Sequence, residues 1–192
     1  MTQIVAAQHH AATPMFVRRA RGSRCPLSPG ARFAGATSTA TLALACLSLW
    51  ASPAFADKAR ITGLADVAFG MIGNLQADAV RSQSLCLYSS ASTNGYNVTA
   101  SGTGPGGAFQ LSSGSLSLPF EVQWSSSAGQ SSGTQLSPNI PFTGQVSTAT
   151  QQTCNSGPAS TASLIVILRS NALTSATSGT YSGTVALIVA PE

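Results

Sequence analysis

The amino-acid sequence predicts an all-β protein: a β-sandwich of about seven short strands, preceded by a signal peptide. Three observations carry this. Large apolar residues alternate with polar ones in several short runs, the period-2 signature of half-buried strands. Glycine-bearing turn signals punctuate those runs. Charge is scarce, with nine basic and five acidic residues among 192, so serine, threonine, glycine, glutamine and asparagine supply the polar surface. Recurrent apolar residues and a low net charge argue against disorder.

The chain opens with an export leader. Residues 40–56 read ATLALACLSLWASPAFA, an apolar run ending in Ala54-Phe55-Ala56 before Asp57. Arg18, Arg19, Arg21, Arg24 and Arg32 lie upstream with no acid among them. A basic region, an apolar run and an A-x-A site define a secretory signal peptide, cleaved here between Ala56 and Asp57. Met15, followed by Phe-Val-Arg-Arg, offers a more ordinary start that would leave residues 1–14 untranslated. Cys46 lacks the flanking residues of a lipidation site. No later apolar run is long enough to span a membrane.

The expected organisation is therefore a leader over 1–56, a short tail over 57–65 and one domain over 66–192. Asp66-Val67-Ala68-Phe69-Gly70 contains the first strand, and residues 72–82 form a loop into the next. Asn94-Gly95 turns the chain into a strand with Tyr96, Val98 and Ala100 on one face. Gly102–Gly107 is a hairpin loop. Leu118, Phe120, Val122 and Trp124 alternate along a single half-buried strand, closed by the turn at Ala128-Gly129. Leu164–Leu168 is continuously apolar and β-branched, as a strand buried on both faces should be. Past Ser178-Gly179, the residues Tyr181, Val185, Leu187 and Val189 set the rhythm of the last strand.

Cleavage changes the chemistry. Lys58, Arg60, Arg81 and Arg169 remain against Asp57, Asp66, Asp78, Glu121 and Glu192. The basic balance belongs to the leader, and no nucleic-acid footprint survives. Cys86 and Cys154 are the remaining cysteines, and in an oxidising compartment they most simply pair, with two free thiols as the alternative. Such a bridge closes a long loop, worth about 4 kcal/mol by chain entropy.

Catalytic constellations are lacking. Both histidines, His9 and His10, precede the cleavage point, which removes the commonest general base and metal ligand. The acids are scattered in sequence, and a carboxylate pair would need convergence from different strands. A nucleophilic serine would need lysine as its base, and Lys58 sits near the new terminus. Gly102–Gly107 lacks the Lys-Ser/Thr ending of a phosphate loop. Two cysteines fall short of a structural zinc site. Asn97-Val98-Thr99 matches a glycosylation sequon by chance, inside a strand behind a bacterial-style leader. Neither enzyme activity, a cofactor nor a metal is expected.

The order of motifs carries a resemblance. Asp66-Val67-Ala68-Phe69-Gly70 is followed by Ser84-Leu85-Cys86-Leu87-Tyr88, Gly95-Tyr96-Asn97-Val98-Thr99 and Leu118-Pro119-Phe120-Glu121-Val122-Gln123-Trp124. The series closes on Gly179-Thr180-Tyr181-Ser182-Gly183-Thr184-Val185. Over about residues 66–190 this resembles the spore coat protein U domain family, the secreted pilin-like subunits of archaic chaperone–usher pili. The resemblance implies an immunoglobulin-like sandwich lacking its final strand. A periplasmic chaperone and then a neighbouring subunit would fill the gap by strand addition, at an outer-membrane usher. It also implies that Val67, Phe69, Val185, Leu187 and Val189 line the acceptor groove, and that the product travels through the periplasm to the cell surface.

One departure matters. Family members carry an apolar donor segment, often followed by a cysteine, ahead of the first strand. Here Asp57–Ala65 reads DKARITGLA, with Ile61 and Leu64 its sizeable apolar residues and no cysteine. Fully extended it reaches about 30 Å, little with which to bridge to another subunit and fill its groove. Cys86 is then expected to pair with Cys154, and the subunit to accept a strand without donating one, at a fibre end. The competing expectation is a free-standing secreted β-sandwich that binds or coats.

Overall fold

The computed structural model describes residues 2–10, as backbone, and residues 56–192. The upstream arginines, Met15, Cys46 and the apolar run of the expected leader lie outside the described residues. The chain forms strand β1 over Thr2–His10, then β2 (Ala59–Thr62), β3 (Val67–Gly70), β4 (Ala79–Ser89) and β5 (Gly95–Gly102). A 3-10 turn at Pro105–Gly107 precedes β6 (Gln110–Ser113), β7 (Leu116–Pro119), β8 (Glu121–Ser125) and β9 (Thr134–Gln135). Strands β10 (Phe142–Val146) and β11 (Ala162–Leu168), helix α1 (Ser170–Ser175) and strand β12 (Ser182–Pro191) complete the order.

These strands make the two layers of an all-β sandwich. One sheet runs β10-β5-β12-β1-β3, with the β6–β7 ribbon joined to β12 through β6; the other runs β2-β4-β11-β8-β9. Among the described residues every pairing is antiparallel except β1 with β12, which is parallel. Period-2 alternation aims Tyr96, Val98 and Ala100 of β5 and Val185, Leu187 and Val189 of β12 into the core, where Leu164, Val166, Leu168, Val122 and Trp124 of the other sheet meet them. All seven residues of β11 are buried, because it lies between β4 and β8 in mid-sheet. The unbroken apolar run Leu164–Leu168 within it is what such a strand requires.

Several expectations need correction. Among the described residues the strands number twelve and not about seven, because short ribbons lie between the long ones. Leu118–Trp124 is not one strand. The chain changes sheets at Phe120, β7 pairing with β6 and β8 with β11. Pro119 ends the first ladder, and the Phe120 N–H donates instead to Phe109 O at 3.1 Å. Alternation survives the break because both sheets face one core, so Leu118, Phe120, Val122 and Trp124 are all buried. The stretch 57–65 is more than a tail, since β2 pairs with β4 and Ile61 is fully buried. Within β2 the signal is a single large apolar residue, Ile61, in a strand too short for periodicity to reveal.

Cys86 of β4 and Cys154, in the segment between β10 and β11, form a disulfide. With Ala149 they make a small apolar cluster of their own, separate from the main core. The same segment is tied to β4 by Ser147 and Thr161, whose hydroxyls both donate to Leu87 O, at 2.5 and 3.0 Å.

Candidate functional site

Strands β3 and β12 do not pair with each other; a slot one strand wide separates them, and β1 lies in it. Along β12, residues Gln3–His10 stand level with Ser182–Val189 in sequence. Along β3 the pairing covers only Thr2, Gln3 and Ile4, level with Gly70, Ala68 and Val67. From Val5 to His10, β1 has register partners on β12 and none on β3.

All five residues expected to line a groove stand on these two flanking strands. Val67 and Phe69 are the buried residues of β3, and Val185, Leu187 and Val189 those of β12. Their neighbours Ala68 and Ile188 face outward, exposed, so the inner face of the slot is a continuous apolar wall. Phe69 and Val185 are far apart in sequence, and the sheet order is what brings β3 and β12 to either side of a single intervening strand.

An apolar cleft of about 550 Å³ opens where β1 begins. Gly70, level with Thr2, is on its rim, and Leu75, Leu118, Leu173 and Tyr181 line it beside the exposed Met71. The Tyr181 hydroxyl donates to Thr177 O at 2.8 Å, which pins the turn that enters β12.

The acids are less scattered in space than in sequence. Arg169 donates to Asp78 Oδ2 at 2.8 Å and to Glu121 Oε2 at 2.5 Å, joining the approach to β4, the start of β8 and the end of β11. The Ser170 N–H also donates to Asp78 Oδ1 at 2.8 Å. That backbone bond, and then Arg169, hold the Asp78 carboxyl below its ordinary range, while Glu121 and Asp78 raise the pKa of the guanidinium. A general acid needs its pKa raised; here the Ser170 N–H and the Arg169 guanidinium favour the charged form of Asp78. Sequence separations of 91 and 48 residues hid this cluster.

Among the described residues no group of three or more His, Cys, Asp and Glu is placed to hold a metal ion. No helix there is long and apolar enough to cross a membrane. The described aromatic residues are all buried or half-buried. Ala56 and Asp57, the expected cleavage position, are both exposed ahead of β2. No family model matches the chain, and no curated protein matches it.

Proposed function

We propose that this chain is a structural, adhesive subunit of a bacterial surface fibre, one that accepts a strand from another polypeptide by donor-strand complementation. The single observation that carries the reading is the slot between β3 and β12: its two walls are buried apolar strands held apart by a strand from a remote part of the sequence. That strand, residues 2–10, lies upstream of Ala56–Asp57. Cleavage there would leave β12 with an unpaired edge next to an apolar wall, a surface that aggregates unless another backbone covers it. In this reading a periplasmic chaperone covers it first, and a neighbouring subunit takes over at the outer-membrane usher. Nothing in that role calls for catalysis or a cofactor.

The reading includes acceptance without donation. Residues 59–62 are already a strand of the chain's own sheet, with Ile61 in its core, so the segment ahead of β3 is not free to serve a neighbour. Such a subunit belongs at a fibre end.

The test is made on protein recovered from the periplasm of expressing cells. Its mass should place the amino terminus at Asp57, and its yield should rise when a pilus chaperone is co-expressed. Added synthetic peptide with alternate apolar residues should raise its thermal midpoint and co-elute with it on a sizing column. No complex and no thermal shift would end the acceptor reading.

A second reading is favoured by one observation, that residues of the same chain fill the slot. A free-standing secreted β-sandwich that seals its own sheet would keep residues 2–10 attached, and would be monomeric and cooperatively folded without any chaperone. The mass of the exported product separates the two.

A further inference from the structure

Strand β3 stands at the edge of its sheet, with β1 as its ladder partner. The first half of β4 is an edge of the other sheet, because β2 pairs only with Cys86–Ser89. Within that half, Arg81 and Gln83 are in register with Val166 and Leu164 of β11, both core residues. Neighbours in register share a face, so two polar residues stand on the core-facing row of β4. Such a row ordinarily carries apolar side chains. Both reach the backbone of β3 or of the residues entering it. The Gln83 amide accepts from the Ala65 N–H at 2.9 Å and donates to Ala65 O at 3.2 Å. One side chain thus exchanges with Ala65 the two bonds that a hydrogen-bonded pair exchanges in a ladder. Arg81 Nε donates to Ala68 O at 3.4 Å, and its guanidinium lies 5.8 Å from the centre of the Phe69 ring, within cation–π range. Arg81 Nη1 also donates to Val80 O at 3.1 Å, which steadies the side chain against its own strand.

We infer that Arg81 and Gln83 are positioning residues that fasten β3 to the opposite sheet independently of β1. The anchoring stands on the geometry of β3 and β4; its use in strand acceptance rests on the strand-acceptor reading. A short strand that loses its ladder partner keeps few backbone bonds to offset the entropy of staying ordered. The two side chains supply bonds that do not depend on what fills the slot. They grip the chain at Ala65 and Ala68, on either side of Val67. Val67 and Phe69 therefore stay directed at the core whether or not β1 is present. The polar residues on the core-facing row serve β3, not the core.

Two measurements test this. In the full chain, Arg81→Met/Gln83→Met keeps unbranched side chains of similar length and removes the bonds to Ala65 and Ala68. Amide hydrogen exchange over Val67–Gly70 should quicken by about tenfold, while exchange over Leu164–Leu168 and Val185–Val189 stays unchanged. Each single substitution should give the same local pattern by a smaller factor, which keeps the test open should the double variant not fold. Unchanged exchange in β3, or equal acceleration throughout, would overturn the inference. The second measurement uses protein recovered from the periplasm and a synthetic peptide with alternate apolar residues. The double variant should bind that peptide about tenfold more weakly than the unaltered protein, because part of the binding energy then goes into ordering β3. Equal binding would overturn the positioning role and leave the acceptor reading standing. Binding by neither protein, with exchange as expected, would remove the acceptor reading and leave the anchoring of β3 in place.

Discussion

The Trp124 indole N–H donates to the Tyr96 hydroxyl at 3.1 Å, across the core from one sheet to the other. Both residues are buried, and their rings meet edge-on with centroids 6.3 Å apart. Burial pushes the Tyr96 hydroxyl above its ordinary pKa, and the indole donor partly opposes that. Tyr96→Phe keeps the ring and leaves the indole N–H without its acceptor. A loss of about 1–3 kcal/mol is expected, read from the midpoint of urea unfolding at unchanged slope. A loss within error would mean that the bond contributes nothing net.

The last strand should show its two faces in mutation. Leu187 is fully buried, whereas the adjacent Ile188 is 38 % exposed. Leu187→Ala should cost about 2–5 kcal/mol and Ile188→Ala about 1 kcal/mol or less. Similar costs at the two positions, measured by chemical denaturation, would contradict the register of β12.

Reduction should be costly. The Cys86–Cys154 bridge spans 68 residues of sequence, and its loss should remove about 2–4 kcal/mol. Cys154→Ser and a reducing agent should lower the thermal midpoint by similar amounts, and the reductant should have no further effect on the variant. An additional shift there would point to damage elsewhere.

Acid should weaken the molecule through Asp78. Its folded pKa is depressed, first by the Ser170 N–H and then by Arg169. The stabilisation is therefore complete above the unfolded carboxyl value of about 3.9 and is lost as pH falls through the lower folded value. Asp78→Asn keeps an oxygen for the Ser170 N–H and loses the charge. Its thermal midpoint should lie below that of the unaltered chain at neutral pH and converge with it in acid. Because Arg169 and Asp78 are partly exposed, at 40 % and 36 % of their side chains, the difference should shrink in high salt. Parallel pH profiles would exclude this origin.

Much of the sandwich was legible because alternation and turn glycines report directly on burial. The rhythm of Tyr96, Val98 and Ala100 and the unbroken run Leu164–Leu168 needed no tertiary information. What stayed hidden depends on partners remote in sequence. Pro119 looked like an outward-facing residue of one strand, yet it marks the change from one sheet to the other. Arg60-Ile61-Thr62 carries too few apolar residues to announce an edge strand, and is ordered by β4. The six-residue α1 is too short for a helical period to show. The five expected groove residues could be chosen by their alternation and by resemblance, but that β3 and β12 flank one common slot is a property of the sheet order alone.

The position of β2 has a consequence for stoichiometry. In the assembly we propose, a subunit whose leading segment is locked into its own sheet can receive a neighbour but cannot hand the polymer on. It caps one end of each filament. Raising its supply relative to the repeating subunit would then yield more numerous and shorter filaments, with the total polymerised mass little changed.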